Sequence, residues 1–201
     1  MTQAPSIDQV IRTLEKLSYK VFDNDSKPYN INIVGLRTAD MTPNSFNDWE
    51  YVFWKHAGSW EGIKFRITTD PGLYYLKNPA NPLGTAIVKP GQYPNLWRKG
   101  LHKGKYPALV QVGSITVYRD ANRDGSYDIT GRTETSSSLG INNHRAVENG
   151  QSLLVDKWSA GCQVFQDYYD FEIFMRIISE AEKNWSNTFT YTLITEQQLV
   201  S

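Results

Sequence analysis

The sequence predicts a mainly β chain with one helix near each end. It reads as a single domain over 1–201, in which 1–45, a helix plus a strand, forms an N-terminal extension packed on the rest. Three observations carry this expectation. Short segments of alternating apolar and polar residues recur through the middle of the chain, cut up by 14 glycines and 9 prolines. Aromatic residues, which suit pleated half-buried surfaces, are abundant, with 12 tyrosines and 6 tryptophans. Two terminal segments instead carry apolar residues at helical spacing.

The first helix begins after Ser6. Ser6 and Gln9 form a Ser-x-x-Gln capping box, and Ile7, Val10, Ile11, Leu14 and Leu17 line one face. Residues 29–36 alternate and read as a strand. The apolar-aromatic stretch 53–60 fits either helix or strand. Residues 64–69 alternate again and stop at the turn-forming Asp70-Pro71-Gly72. Further strands are expected at 73–76, 85–88, 108–112 and 115–118, with Gly113-Ser114 as a tight hairpin turn between the last two. The basic stretch from Trp97 to Lys105 reads as a solvated loop. Phe171, Phe174, Met175, Ile178 and Ala181 mark a second amphipathic helix over 170–184, capped by Asp170, and 188–194 is a closing strand.

Composition narrows the function classes. Twenty-one basic and 21 acidic residues cancel, so no global field draws the chain to nucleic acid or anionic lipid. No apolar run approaches the roughly 18 residues a membrane helix requires. Met1-Thr2-Gln3-Ala4-Pro5 lacks the basic and apolar stretches of a secretory signal.

Chemistry concentrates around the single cysteine, Cys162, preceded by Trp158-Ser159-Ala160-Gly161. His144 stands eighteen residues upstream in Gly140-Ile141-Asn142-Asn143-His144-Arg145. The thiolate, not the thiol, is the effective nucleophile, so a reactive cysteine needs a proton acceptor nearby. Gly161 permits a tight turn beside it. With one cysteine, a CxxC redox centre and a cysteine zinc cluster are excluded. His56, His102 and His144 show no metal-ligating spacing, and papain-like and caspase-like orders do not fit.

The spacing of His144, fourteen intervening residues and Ser159-x-Gly161-Cys162 resembles the active-site signature of the YkuD-type L,D-transpeptidases, in which a histidine precedes Ser/Thr-His-Gly-Cys by a spacer of this length. Upstream, Lys89-Pro90-Gly91-Gln92-Tyr93 is similar to the Thr-Pro-x-Gly-x-Tyr/Phe segment of that family. Two positions depart: Ala160 replaces a histidine, and Gln163-Val164 replaces an apolar residue followed by Arg or Asn. Gly100-Leu101-His102-Lys103-Gly104 also looks like a family His-Gly element, but it lies too far from Cys162 in sequence, so the base falls to His144. The resemblance implies a β-sandwich-like catalytic domain and cysteine-dependent acyl transfer on peptidoglycan stem peptides, by transpeptidation or carboxypeptidase hydrolysis, without a cofactor. It casts Cys162 as nucleophile and His144 as base, with Ser159 bonding to the histidine or substrate. The N–H groups of Gly161 and Cys162 would receive the oxyanion. Gln163, Trp158, Arg145 and Tyr93 would contact substrate. Action then lies at the wall, reached by another export route or from a chain whose signal has been removed. Two alternatives stay open: an inactive relative that binds wall peptides or a protein partner, and a phage or effector enzyme that damages the wall with the same site.

One further motif competes. Asp120, Asn122, Asp124 and Asp128, with Gly125, resemble the opening of a calcium loop, but Gly131 stands where the bidentate glutamate belongs. A polar hairpin loop explains the same residues.

Overall fold

The computed structural model describes residues 4–200, so Met1–Gln3, part of the segment read for a secretory signal, lie outside the described residues. The chain is mainly β. In order it runs α1 (Ile7–Lys16), β1 (Asn32–Arg37), β2 (Asp48–His56), β3 (Ser59–Thr68), α2 (Leu73–Lys77), β4 (Thr85–Val88), β5 (Gly91–His102), β6 (Tyr106–Gln111), β7 (Ile115–Asp120), β8 (Thr133–Ser136), β9 (Asn143–Arg145), β10 (Gln163–Phe165), α3 (Tyr168–Asn184) and β11 (Phe189–Thr195). Eight strands close into a barrel in the order β1-β11-β5-β6-β9-β10-β3-β2, and β4, β7 and β8 form a separate three-stranded sheet. Among the described residues no helix is long and apolar enough to cross a membrane.

Period-two burial explains the layering. From β1 and β2, Ile33 and Val52 turn into the main core with Phe65, Trp97 and Tyr191. Their neighbours Val34, Leu36, Tyr51 and Phe53 face outward and are covered by Val10, Ile11 and Leu14 of α1. β1, the strand of the 1–45 segment, pairs with both β2 and β11 and so is part of the barrel wall. The helix α3 sends Phe171, Phe174, Met175, Ile178 and Ala181 into the same main core. At about 25 cal/mol per Å² of apolar area, each buried aromatic of this kind stabilises by a few kcal/mol.

Several local expectations change. Segment 73–76 is helical, because Gly72 starts a turn whose carbonyl accepts from the Tyr75 and Leu76 amides. Gly113-Ser114 is not a hairpin turn: β6 belongs to the barrel and β7 to the small sheet, so these residues carry the chain between sheets. The stretch 53–60 resolves into the β2–β3 hairpin. The stretch from Trp97 to Lys105 is no solvated loop but the end of β5 and its turn into β6, with Trp97 fully buried. The cap of α3 is Asp167, which accepts from the Tyr169 and Asp170 amides at 2.7 and 3.2 Å, and Asp170 sits inside the first turn. Ser6 caps α1 at 3.2 Å as the capping box requires, whereas the Gln9 side-chain amide donates to the Val200 carbonyl at 2.7 Å.

Candidate active site

Two short parallel strands place the central residues. β9 and β10 pair with Asn143 opposite Gln163 and His144 opposite Val164, so the chain just before each strand sets Asn142 beside Cys162. Alternation then gives Asn142, His144 and Cys162 to one face and Asn143 and Gln163 to the other. Cys162 and His144 line one cavity of about 270 Å³, together with Tyr75, His102, Lys103, Gly140, Asn142, Lys157, Trp158 and Ala160.

The loop before Cys162 is held from several sides. Ser159 is buried; its hydroxyl donates to the Cys162 carbonyl at 2.8 Å and accepts from the Gly161 amide at 3.1 Å. The Ser159 carbonyl accepts from the Gly72 amide at 2.9 Å, tying the loop to the turn after β3. Gly161 has φ +127°, and a Cβ there would stand 2.7 Å from the Ala86 carbonyl oxygen on β4. Only glycine fits. In this structure Ser159 organises the turn and makes no bond to a histidine, and the Gly161 amide donates to the Ser159 hydroxyl. No acceptor for the Cys162 amide exists among the described residues.

His144 has a defined tautomer. Its Nδ1 lies 2.8 Å from the Arg145 carbonyl, which can only accept, so Nδ1 carries the proton and Nε2 keeps its lone pair. Tyr106 adds support, its hydroxyl donating to the same carbonyl at 3.3 Å. At rest the thiol of Cys162 donates to the Gly140 carbonyl at 3.4 Å, and its sulfur accepts from the Asn142 amide at 3.5 Å. Burial pushes the Cys162 thiol above its ordinary pKa. Burial, with a smaller contribution from His102, pushes His144 down to about 3. The resting pair is neutral thiol and neutral imidazole.

His102 was not expected here. It ends β5, and the β5–β6 turn, with Lys103 and Gly104 both at positive φ, brings it back over β9. Its ring stacks on that of His144, with centroids 4.0 Å apart and planes at 30°. The Gly100–Gly104 motif is the clue in the sequence, and the β5–β6 and β6–β9 pairings cancel its long separation from Cys162.

The remaining expected residues divide. Trp158 lines the cavity. Gln163 does not: it is fully buried on the inner face, where its side-chain oxygen accepts from the Tyr191 hydroxyl at 2.7 Å. Tyr93 is also a core residue, its hydroxyl bonded to the Lys89 and Thr116 carbonyls. Arg145 does not line the cavity of Cys162; its side chain stacks 4.1 Å above the Tyr106 ring and donates to the Val147 carbonyl at 2.7 Å. It lines a second cavity of about 690 Å³ between β6 and α3. In the acidic loop, Asp120 accepts from the Asp128 amide, Asn122 from Asp124, Asp124 from Ser126, and Asp128 from Thr130. These oxygens serve the loop's own turns, and no group of three or more His, Cys, Asp or Glu side chains among the described residues is arranged to hold a metal.

Comparison with known proteins gives no family assignment: no protein-family model, curated protein or solved structure matches the chain.

Proposed function

We propose that the chain is a cysteine-dependent acyl-transfer enzyme of the L,D-transpeptidase type, acting on peptidoglycan stem peptides. The observation that carries the reading is the shared cavity of Cys162 and His144, in which the Nδ1–H of His144 is spent on a carbonyl and the Nε2 lone pair has no partner among the described residues. The sulfur attacks a peptide carbonyl carbon while its proton passes to His144 Nε2. The carbonyl π electrons move to oxygen; their return expels the amine, which takes the proton from His144 and leaves a thioester. An acceptor amine or water then attacks the thioester by the reverse proton path. Because the resting pair is neutral, proton transfer accompanies attack, and general-base assistance is worth roughly 10²–10⁴ in rate. The small sheet and its Ala86 carbonyl back the cysteine turn; the family resemblance implies a β-sandwich-like domain, and what supports it here is the mainly β architecture of barrel and small sheet.

The same neutral pair, with Ala160 and Gln163 at the departing positions, supports a second reading: a relative that binds wall peptides without turning them over. Purified peptidoglycan incubated with the protein and analysed by mass spectrometry of the muropeptides separates the two. Loss of terminal D-alanine or new cross-links, absent with Cys162→Ala, is the result expected of an enzyme; unchanged muropeptides retained by the protein would establish the binder.

A further inference from the structure

A chain of hydrogen bonds crosses the site and fixes a second imidazole. The Gln111 amide donates to the Asn142 side-chain oxygen at 2.9 Å, which settles the orientation of that side-chain amide. The Asn142 nitrogen is then the donor at 3.1 Å to Nδ1 of His102. An imidazole that accepts at Nδ1 carries its proton on Nε2. Among the described residues His102 Nε2 has no partner and is not one of the sealed, unsatisfied atoms of the interior, and the residue lines the cavity with Cys162. Burial, reinforced by Lys103, holds the His102 pKa down at about 4, so the ring is a neutral donor at physiological pH. His144 has the opposite tautomer. The two stacked rings therefore offer the cavity one lone pair and one N–H.

Acyl transfer needs both. A carbonyl attacked by sulfur develops an oxyanion that requires donors aimed at it. The Gly161 amide is committed to Ser159, which leaves the Cys162 amide alone from the local backbone. We propose that His102, through Nε2–H, is the second oxyanion donor of this site, a catalytic residue supplied by the β5–β6 hairpin from outside the cysteine motif. This rests on the acyl-transfer reading above, and it assigns His102 to the carbonyl oxygen, distinct from the base role of His144.

Two reagents separate the roles. p-Nitrophenyl acetate transfers its acetyl group to the sulfur through an oxyanion, releasing p-nitrophenolate, whereas iodoacetamide alkylates sulfur by displacement of iodide with no oxyanion. His102→Phe keeps a stacking ring and removes the donor, and His102→Gln keeps an N–H. In His102→Phe, acetylation of Cys162 is expected to fall roughly 10²-fold, with partial recovery in His102→Gln and an alkylation rate within about twofold of wild type. Equal loss with both reagents, or loss with neither, overturns the donor role. Cys162→Ala and His144→Ala score the underlying reading separately: if acetylation is unchanged in both, the thiol site itself fails. Imidazole ¹⁵N NMR of the unmodified protein needs no variant to fold. It should show His102 protonated at Nε2 and His144 at Nδ1, and an Nδ1–H form of His102 would refute the proposal.

Discussion

The two faces of the β9–β10 pair carry similar polar residues with opposite fates. On the inner face, the Asn143 side-chain nitrogen donates to the carboxyl oxygens of Glu50 at 2.9 and 2.7 Å, and Gln163 accepts from Tyr191. These side chains are fully buried. On the outer face, Asn142, His144 and Cys162 meet a cavity, where the thiol is held only by long contacts to the Gly140 carbonyl and the Asn142 amide and His144 Nε2 has no partner among the described residues. A polar group becomes a candidate for chemistry when the fold orients it and leaves one atom unspent. In the acidic loop at 120–128 most side-chain oxygens accept from the loop's own amides, Asp120 Oδ1 being buried without a partner, and no cavity shared with Cys162 reaches them.

The comparison predicts that outer-face changes cost activity with little stability, and inner-face changes the reverse. The largest effect belongs to Cys162→Ala, which should lower muropeptide processing by roughly 10³-fold or more while moving the unfolding midpoint little. His144→Ala should lower turnover by about 10²–10⁴-fold. Next comes Gly161→Ala, expected to lose about 1–3 kcal/mol in denaturant unfolding from its left-handed backbone and its contact with Ala86. A Gly161→Ala protein as stable as wild type would show that the turn is not constrained as described.

Inner-face changes should appear in pH dependence. Burial raises the Glu50 pKa to about 8. A raised carboxyl pKa means that the folded state holds a proton the unfolded chain releases, so this contribution is complete below about 4.5 and is lost as pH rises through about 8. Glu50→Gln should therefore gain stability relative to wild type between pH 5 and pH 8, by at most about 1.4 kcal/mol per unit. Parallel stability curves for the two proteins would place the Glu50 charge elsewhere. The depressed His102 and His144 act with the opposite sign: their contribution is present above about pH 6.5 and fades as pH falls toward 4 and 3. The smallest effect is Tyr191→Phe, which leaves Gln163 without its donor and should cost about 1–2 kcal/mol.

Both long helices were readable because their apolar residues keep a strict spacing over several turns, and β1, β4 and β11 because alternation or β-branched runs mark them. α2 was misread because Leu73, Tyr74, Tyr75 and Leu76 form an apolar run too short to show a period. β9 and β10 have three residues each, and strands so short leave no pattern. Missing them hid the parity that turns Gln163 inward once Cys162 faces out. His102 was hidden for another reason: its partner His144 lies 42 residues away, and the two meet through the β5–β6 hairpin together with the pairing of β6 and β9.

The most direct measurement is intact-protein and peptide mass spectrometry after mixing the protein with a stem tetrapeptide and quenching in acid. An acyl group on Cys162 with release of the terminal amino acid is the predicted result. An unmodified Cys162, together with D-alanine release that is absent or undiminished in Cys162→Ala, would contradict the account.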